Sequence, residues 1–123
     1  MTKTGALIAF LATTNPSRAL IFYRDIIGLT FVADEPFALV FENESTMIRI
    51  QKVESLSPHP FTSLGWKVGV IRNRIKELKN LGIRFEVYDF LKQDNDGIWQ
   101  TPDGSLIAWF KDPDGNLLSL TQF

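Results

Sequence analysis

The chain has 123 residues, of which 45% are hydrophobic, and a formal charge of −1 from 13 basic and 14 acidic side chains. This length and apolar content indicate one globular domain and exclude a disordered chain. The balanced charge gives no indication of a nucleic-acid partner, and no apolar run approaches the roughly 18 residues of a membrane helix. Cysteine is absent, which excludes disulfides and thiolate chemistry and is compatible with a cytoplasmic location.

The first half of the chain is predicted to contain a strand, a helix and three further strands. The first strand is the short apolar run Ala6–Thr13. A helix follows at Asn15, because Asn can cap a helix and the next residue, proline, suits its first position. Apolar residues then recur at helical spacing as far as Gly28, where the helix ends. The later strands of this half are predicted at Leu29–Ala33, Phe37–Phe41 and Met47–Val53.

The second half repeats this order after a Ser/Pro-rich linker, Ser55–Pro60. A strand at Leu64–Val70 precedes a helix at Arg72–Leu81, and Gly82 ends this helix as a glycine ends the first one. The polar segment Asp89–Gly97 is an ordinary loop or a mobile lid. Strands are predicted at Ile83–Val87, Gly97–Thr101, Ser105–Phe110 and Leu117–Gln122.

This repeated order indicates an α+β fold with two βαβββ modules in one domain, residues 1–123. A helix-capped sheet of four strands cannot bury both faces. Two modules side by side, about residues 1–54 and 61–123, would therefore form a curved mixed sheet around a shared cavity. The local match of Gly28-Leu29-Thr30-Phe31 with Gly82-Ile83-Arg84-Phe85 supports the repeat.

Two segments, Arg18 to Leu29 and Trp109 to Leu120, resemble motifs of the vicinal oxygen chelate superfamily, which includes glyoxalases, bleomycin resistance proteins and extradiol dioxygenases. The segment from Arg18 to Leu29 resembles the first helix of these proteins. The segment from Trp109 to Leu120, with the turn Asp112-Pro113-Asp114-Gly115-Asn116, resembles their last hairpin. The resemblance covers nearly the whole chain and implies the fold and a homodimer. It leaves the activity open, since the superfamily contains isomerases, dioxygenases, resistance enzymes and metal-free binding proteins.

The resemblance also implies four metal-ligand positions, one on the first and one on the last strand of each module. In this sequence they fall on Ile8, Arg49, Ser63 and Ser119. These side chains provide no His or carboxylate donor, whereas a divalent ion needs about three protein ligands. We therefore expect neither a metal nor another cofactor. The only histidine, His59, lies between two prolines of the linker and is interpreted as a solvated loop residue.

Strand alternation predicts which side chains line the cavity. Apolar groups together with hydroxyls and the cations Arg49 and Lys67 favour a small organic ligand with an apolar body and an anionic group. Trp99 and Trp109 could stack on an aromatic ligand, although both could instead be core residues, and both cations could instead reach water. The predicted ligand-binding residues are Ile8, Phe10, Arg49, Gln51, Ser63, Lys67, Trp99, Trp109, Ser119 and Thr121.

These observations favour a binding protein that holds a small organic molecule without a catalytic metal, rather than an enzyme. Two alternatives stay open. One is a metal-dependent lyase or dioxygenase with relocated ligands, for which the nearby candidates are Glu42, Glu44, Glu86 and His59. The other is an interaction or regulatory module that binds a partner chain at an open β edge or an exposed aromatic face.

Overall fold

The computed structural model describes residues 2–123, which form two compact units, the first ending at Ser57 and the second beginning at Pro58. Each unit contains the predicted βαβββ order and a four-stranded mixed sheet. None of the helices in the described part of the chain has the length and apolar character needed to cross a membrane.

The first unit contains β1 (Ile8–Thr13), helix α1 (Pro16–Ile21, continued by Phe22–Ile27), β2 (Thr30–Asp34), β3 (Ala38–Asn43) and β4 (Thr46–Lys52). Its sheet has the order β1-β4-β3-β2, in which β1 runs parallel to β4 and the other pairs are antiparallel. The predicted strands all occur, with ends displaced by at most two residues. Because β4 lies between β1 and β3, its side chains on either face of the sheet have neighbours from both of these strands.

Helix α1 begins where the sequence predicts but changes its geometry halfway. Asn15 caps it by accepting a hydrogen bond from the backbone N–H of Arg18 at 3.2 Å. The α-helical part, Pro16–Ile21, continues as a π-helical segment over Phe22–Ile27. Gly28 ends the helix with φ of 89°, a left-handed conformation that glycine adopts without strain. The wider π-turn was not expected from the regular spacing of apolar residues.

The second unit contains β5 (Leu64–Lys67), α2 (Ile71–Asn80), β6 (Trp99–Gln100), β7 (Leu106–Lys111) and β8 (Leu117–Gln122). Its sheet has the order β5-β8-β7-β6, with β5 parallel to β8 and the other pairs antiparallel. The prediction for β8 is confirmed at both ends, whereas β5 and β6 are shorter than predicted.

The predicted strand Ile83–Val87 is wrong. Only Phe85 forms a bridge, with Phe110 of β7, and the next residue donates one backbone hydrogen bond to the carbonyl of Trp109 at 2.8 Å. The segment cannot continue along β7, because β6 pairs with that edge of β7 from this point on. The side chain of Gln93 instead binds the backbone N–H of Tyr88 and the carbonyl of Glu86, which satisfies these two backbone groups outside the sheet. The β-rich composition predicted a strand, but another strand occupies the edge that it would need.

Aromatic side chains fill much of the buried side of each sheet. In the first unit the ring of Tyr23, from the π-helical segment, lies 6.0 Å from that of Phe41 on β3, and both residues are fully buried. In the second unit Phe110 of β7 contacts Trp66 and Phe85, with ring centroids 6.4 and 5.4 Å away. Each sheet therefore buries one face within its own unit and leaves the side chains of its other face available for a functional site.

Candidate functional site

The predicted site residues of the first unit share the open face of its sheet. Ile8 lies opposite Met47 in the register, and Phe10 lies opposite Arg49, so these side chains are neighbours on one face. Ile8 and Phe10 are about half exposed, which is unusual for large apolar side chains in a strand. Gln51, further along β4, is also exposed on this face.

The charge of Arg49 is already compensated. Its guanidinium Nη2 lies 2.9 Å from the carboxylate of Glu35, in an ion pair within the first unit. An arginine in such a pair is a weaker anchor for a ligand anion than a free one, because the ligand must compete with the carboxylate. The expectation that Arg49 grips an anionic group is therefore not favoured by its surroundings.

The predicted site residues of the second unit also share one sheet face. Ser119 lies opposite Gly65 and Trp109 in the register of β8 with its two neighbours. Thr121, two residues further along β8, lies in the same way opposite Lys67 and Ile107, and Trp99 of β6 faces Ile107. Ser63 lies just before β5, where its N–H donates to the carbonyl of Leu117 at 2.8 Å.

Ser119 has little exposed surface on this face. It is buried, and its Oγ lies 2.6 Å from the place that a Cβ would occupy at Gly65. The hydroxyl thus fills the space that the missing side chain of residue 65 leaves in the neighbouring strand. The close approach of β5 and β8 leaves little of the Ser119 hydroxyl exposed, and its contact with a ligand stays a prediction.

Three aromatic side chains meet on the open face of the second sheet. The rings of Trp99 and Trp109 are nearly parallel, with centroids 6.2 Å apart, and the ring of Tyr88 meets Trp109 edge-on at 5.7 Å. A planar ligand sandwiched between two rings needs about two van der Waals separations, roughly 7 Å. The gap between the two tryptophans is narrower than this, so a ligand would have to contact the outer faces or edges of this cluster.

A pocket of about 400 Å³ lies beside this cluster, within the second unit. We call it the Tyr88 pocket. It lies on the open face of the second sheet. Lys111 and Leu117 are paired across the hairpin two residues away from the pair Trp109 and Ser119, so the four side chains are on the same face. The linker forms the opposite wall and packs tightly on the last hairpin. The lining residues are Pro58, His59, Pro60, Tyr88, Lys111, Gly115 and Leu117.

The polar groups of the Tyr88 pocket are a phenol, a lysine and a histidine. Burial, together with the nearby carboxylate of Glu86, raises the pKa of Tyr88, while Lys111 opposes this effect, so the phenol stays protonated at neutral pH. The Lys111 ammonium forms an ion pair with Glu86 at 3.4 Å and remains half exposed. His59 stacks on Phe61 with ring centroids 4.8 Å apart. These groups offer hydrogen bonds and one cation around an apolar floor.

A second pocket, of about 560 Å³, is lined by the start of α2, the loop before β6 and the turn after it. It is the larger of the two, but its arginine, Arg72, is paired with Asp94 and Asp96 at 2.8 Å each. The pKa of Arg72 is raised by these contacts. We take the Tyr88 pocket as the candidate site because it lies on the open face that carries Lys67, Trp109 and Thr121.

The positions implied for a metal do not suit one. Ile8 and Arg49 belong to the first unit, and Ser63 and Ser119 to the second. An alkyl group and a paired guanidinium cannot donate to a cation, and the Ser119 hydroxyl is packed against Gly65.

The relocated ligands also lack a shared site. Within residues 2–123, no three His, Cys, Asp or Glu side chains are grouped so that they could hold an ion. Of the candidates from the sequence, Glu86 is paired with Lys111, and His59 is stacked on Phe61. Glu42 lies on β3, and Glu44 lies in the turn that follows it.

Sequence reasoning does not single out Tyr88 or Lys111, and it places His59 in solvent. Lys111 could have been found by extending the alternation of the last hairpin, since it pairs with Leu117 across the turn. Tyr88 could not, because it lies just after the predicted strand Ile83–Val87, in a segment that has left the sheet. His59 is exposed, as expected, yet it still lines the pocket.

The sequence matches no protein-family model and no curated protein. Solved structures do share the fold. A glyoxalase/bleomycin resistance protein/dioxygenase superfamily member from Sphaerobacter thermophilus has a TM-score of 0.76 and 20% identity over 98% of each chain. An antibiotic binding protein from Streptomyces sp. CB03234 has a TM-score of 0.75 and 20% identity over 99% of this chain and 98% of that one.

A third solved structure is a lactoylglutathione lyase from Agrobacterium tumefaciens. It has a TM-score of 0.75 and 17% identity, over 99% of this chain and 96% of that one. All three cover nearly the full length of both chains, so the likeness extends to both βαβββ units. The chain therefore has the two-module α+β fold of the glyoxalase/bleomycin resistance protein/dioxygenase superfamily, the same superfamily that its two sequence motifs resemble.

Proposed function

We propose that this protein is a metal-free member of the superfamily that binds a small organic molecule with an aromatic body in the Tyr88 pocket. The observation that carries the proposal is the pocket itself, whose volume of about 400 Å³ lies in the range of small-molecule sites. Its tyrosine packs edge-on against Trp109, so a planar ligand would meet an aromatic wall.

Electrostatics support a ligand that is neutral or singly anionic. Lys111 is the cation at the pocket, and its contact with Glu86 at 3.4 Å leaves it half exposed. A ligand carboxylate or sulfonate could share this ammonium with Glu86 at modest cost, whereas a cationic ligand would be repelled. The antibiotic binding protein among the structures of the same fold is a precedent for binding, although it does not identify the ligand.

The absence of catalysis by a bound metal is part of the proposal, and the chemistry of the four implied positions supports it. Zinc, nickel, manganese or iron(II) added to the purified protein should leave its thermal unfolding midpoint unchanged. If a metal site existed, a free metal concentration 100 times its dissociation constant would stabilise the fold by about 2.7 kcal/mol. A stabilisation of this size would clearly raise the unfolding midpoint. Stoichiometric metal in the purified protein by elemental analysis would refute this part of the proposal.

The proposal also includes a homodimer, which the resemblance implies, and a cytoplasmic location, with which the absence of cysteine is compatible. Large apolar side chains on the open face of the first sheet, Ile8, Phe10 and Met47, support self-association, since monomers rarely expose such neighbours together. Light scattering coupled to size exclusion measures the mass directly. A monomer at micromolar concentration would contradict this part and leave the binding proposal intact.

Ligand binding is tested with 8-anilinonaphthalene-1-sulfonate, an aromatic anion whose fluorescence rises in apolar sites. We expect saturable binding by the wild-type protein and about 2- to 10-fold weaker binding by Tyr88→Ala, from the loss of one aromatic contact. Phe37→Ala is the matched control, because Phe37 is an exposed aromatic residue of the first unit. Equal loss in both variants, or no saturable binding, would overturn the assignment of the pocket.

A further inference from the structure

The segment that carries Tyr88 has few backbone bonds to the sheet. Phe85 forms an isolated bridge with Phe110, and the N–H of Glu86 donates to the carbonyl of Trp109 at 2.8 Å. Beyond this point the ladder with β7 stops. Tyr88 is nevertheless held in edge-on contact with Trp109, at 5.7 Å between ring centroids. Because the backbone of this segment no longer pairs with β7, other interactions must hold Tyr88 in this contact.

The side chain of Gln93 supplies that support. Its Oε1 accepts a hydrogen bond from the backbone N–H of Tyr88 at 2.7 Å. Its Nε2 donates to the carbonyl of Glu86 at 3.0 Å and to that of Gly97 at 2.8 Å. A primary amide provides one acceptor and two donor hydrogens, so Gln93 uses all of these functions at once. One side chain thereby holds the segment by three hydrogen bonds beyond the point where its own pairing with β7 ends.

The backbone of Gln93 ties the same residue to the other side of the aromatic cluster. Gln93 forms an isolated antiparallel bridge with Trp99, whose ring stacks on Trp109 at 6.2 Å. Gln93 therefore contacts both aromatic neighbours of Trp109, through a hydrogen bond to the N–H of Tyr88 and through its position opposite Trp99 in the bridge, which is closed by the bond from the N–H of Asp94 to the carbonyl of Ile98 at 2.9 Å.

We propose that Gln93 is a positioning residue that fixes Tyr88 against Trp109 and so sets the shape of the Tyr88 pocket and its affinity for ligand. The effect on affinity rests on the proposed function. The effect on the position of Tyr88 does not, and it can be measured without any ligand.

The amide is required, because a carboxylate can make only one of the three bonds. Glutamate at this position keeps the acceptor for Tyr88 N–H but places negative oxygen against the carbonyls of Glu86 and Gly97. We expect Gln93→Glu to weaken binding of 8-anilinonaphthalene-1-sulfonate about tenfold at neutral pH. Part of the loss should be recovered near pH 4, where a protonated carboxyl regains one donor.

Gln100→Glu is the matched control. It makes the same chemical change on an exposed side chain of β6. Each variant is compared with the wild-type protein at each pH, so that any pH response of the probe or the remaining residues cancels. Recovery at low pH in Gln93→Glu but not in the control is a result that general destabilisation would not produce, since acid normally weakens a fold.

Two measurements without ligand complete the test. In the wild-type protein the Tyr88 amide should exchange with solvent as slowly as amides of β7, because it is bonded to Gln93. The proton contacts between the rings of Tyr88 and Trp109 in NMR spectra should weaken in Gln93→Glu and persist in Gln100→Glu.

The outcomes separate the two proposals. If the wild-type protein does not bind the probe while the Tyr88 amide is protected and the ring contact depends on Gln93, the proposed function fails and the positioning role stands. If the Tyr88 amide exchanges like that of an open loop, the positioning role is refuted, even when Gln93→Glu does not fold. Unchanged affinity and unchanged ring contact in a folded Gln93→Glu would refute it as well.

Discussion

The indole N–H of Trp109 donates a hydrogen bond to the hydroxyl of Thr62 at 3.2 Å. This bond joins β7 to the segment that precedes β5, and residues 58–60 of the same segment form one wall of the Tyr88 pocket. The Ser/Pro-rich stretch that looks like a plain linker in the sequence is thus attached to the sheet face that it covers.

The bond between Trp109 and Thr62 should contribute measurably to stability. Thr62→Val keeps the shape of the side chain and removes the acceptor, and Trp109→Phe removes the donor. We expect a coupling free energy of about 1 kcal/mol in the double-mutant cycle, measured by urea unfolding. Strictly additive effects of the two substitutions would show that the bond contributes nothing in solution.

Gly115 is predicted to be sensitive to substitution for two reasons. Its φ is 90°, and a Cβ there would lie 3.3 Å from Cγ of Pro58. Gly115→Ala should therefore destabilise the protein by about 1 kcal/mol more than Gly82→Ala, in which φ is similar at 93° and no atom lies within 4 Å. Thermal or denaturant unfolding measures the difference. Equal effects would mean that the linker moves freely away from the hairpin turn.

Lys111 should favour anionic over neutral ligands. Lys111→Met is expected to weaken binding of 8-anilinonaphthalene-1-sulfonate up to about fivefold, while leaving that of the neutral analogue N-phenyl-1-naphthylamine almost unchanged. The effect should shrink at high salt, because the lysine is half exposed. Lys76→Met, on the exposed side of α2, serves as the control. Equal losses for both probes would assign the effect of Lys111 to packing rather than to charge.

Acid should weaken the contact between α2 and the loop before β6. Burial alone would raise the pKa of Asp94, but hydrogen bonds from Arg72 and from the backbone N–H groups of Ile98 and Asp96 lower it below the ordinary value of 3.8. A carboxyl whose folded pKa is lowered stabilises the fold above its unfolded pKa. That contribution is lost as the pH falls through the folded value, below about 3.8.

Asp94→Asn tests this directly. The stability of the variant should change less than that of the wild-type protein as the pH falls below 3.8, because the titrating carboxyl is gone. Asn can still accept the backbone hydrogen bonds, so the turn should persist. Parallel stability curves for the two proteins below pH 4 would show that Asp94 has no lowered pKa.

Local chemistry in the sequence was sufficient to predict much of the fold. Asn15 followed by proline marked a helix start, and Gly28 marked its end, because capping and positive φ are properties of single residues. The last hairpin was equally clear. Its turn is built by Asp112, whose carboxylate accepts hydrogen bonds from the backbone N–H groups of Asp114 and Asn116 at 3.0 and 2.9 Å. Alternation then placed Lys67 and Thr121 on one sheet face, where the two residues lie opposite each other.

The parts of the site that escaped prediction depend on contacts between distant segments. The pairing of Arg49 with Glu35 joins β4 to the turn between β2 and β3, and alternation cannot reveal it. Ser119 was expected to face a ligand. Its hydroxyl instead lies in the space that Gly65, which has no side chain, leaves in the adjacent strand. Tyr88 lies at the site because its segment leaves β7 where β6 begins to pair, and the side chain of Gln93 binds its backbone N–H. Each of these outcomes requires knowing which side chains meet in space.

The π-helical segment of α1 explains a difference in length between the two units. Phe10 opposite Arg49 and Gly65 opposite Ser119 are corresponding register positions of the parallel strand pairs. From Phe10 to Gly28 the chain advances 18 positions, but from Gly65 to Gly82 only 17. A π-turn accommodates one additional residue per turn while letting the chain leave the helix at an equivalent point. The additional position thus lies inside a helix, so an alignment of the two halves should open its gap within Phe22–Ile27 rather than in a loop.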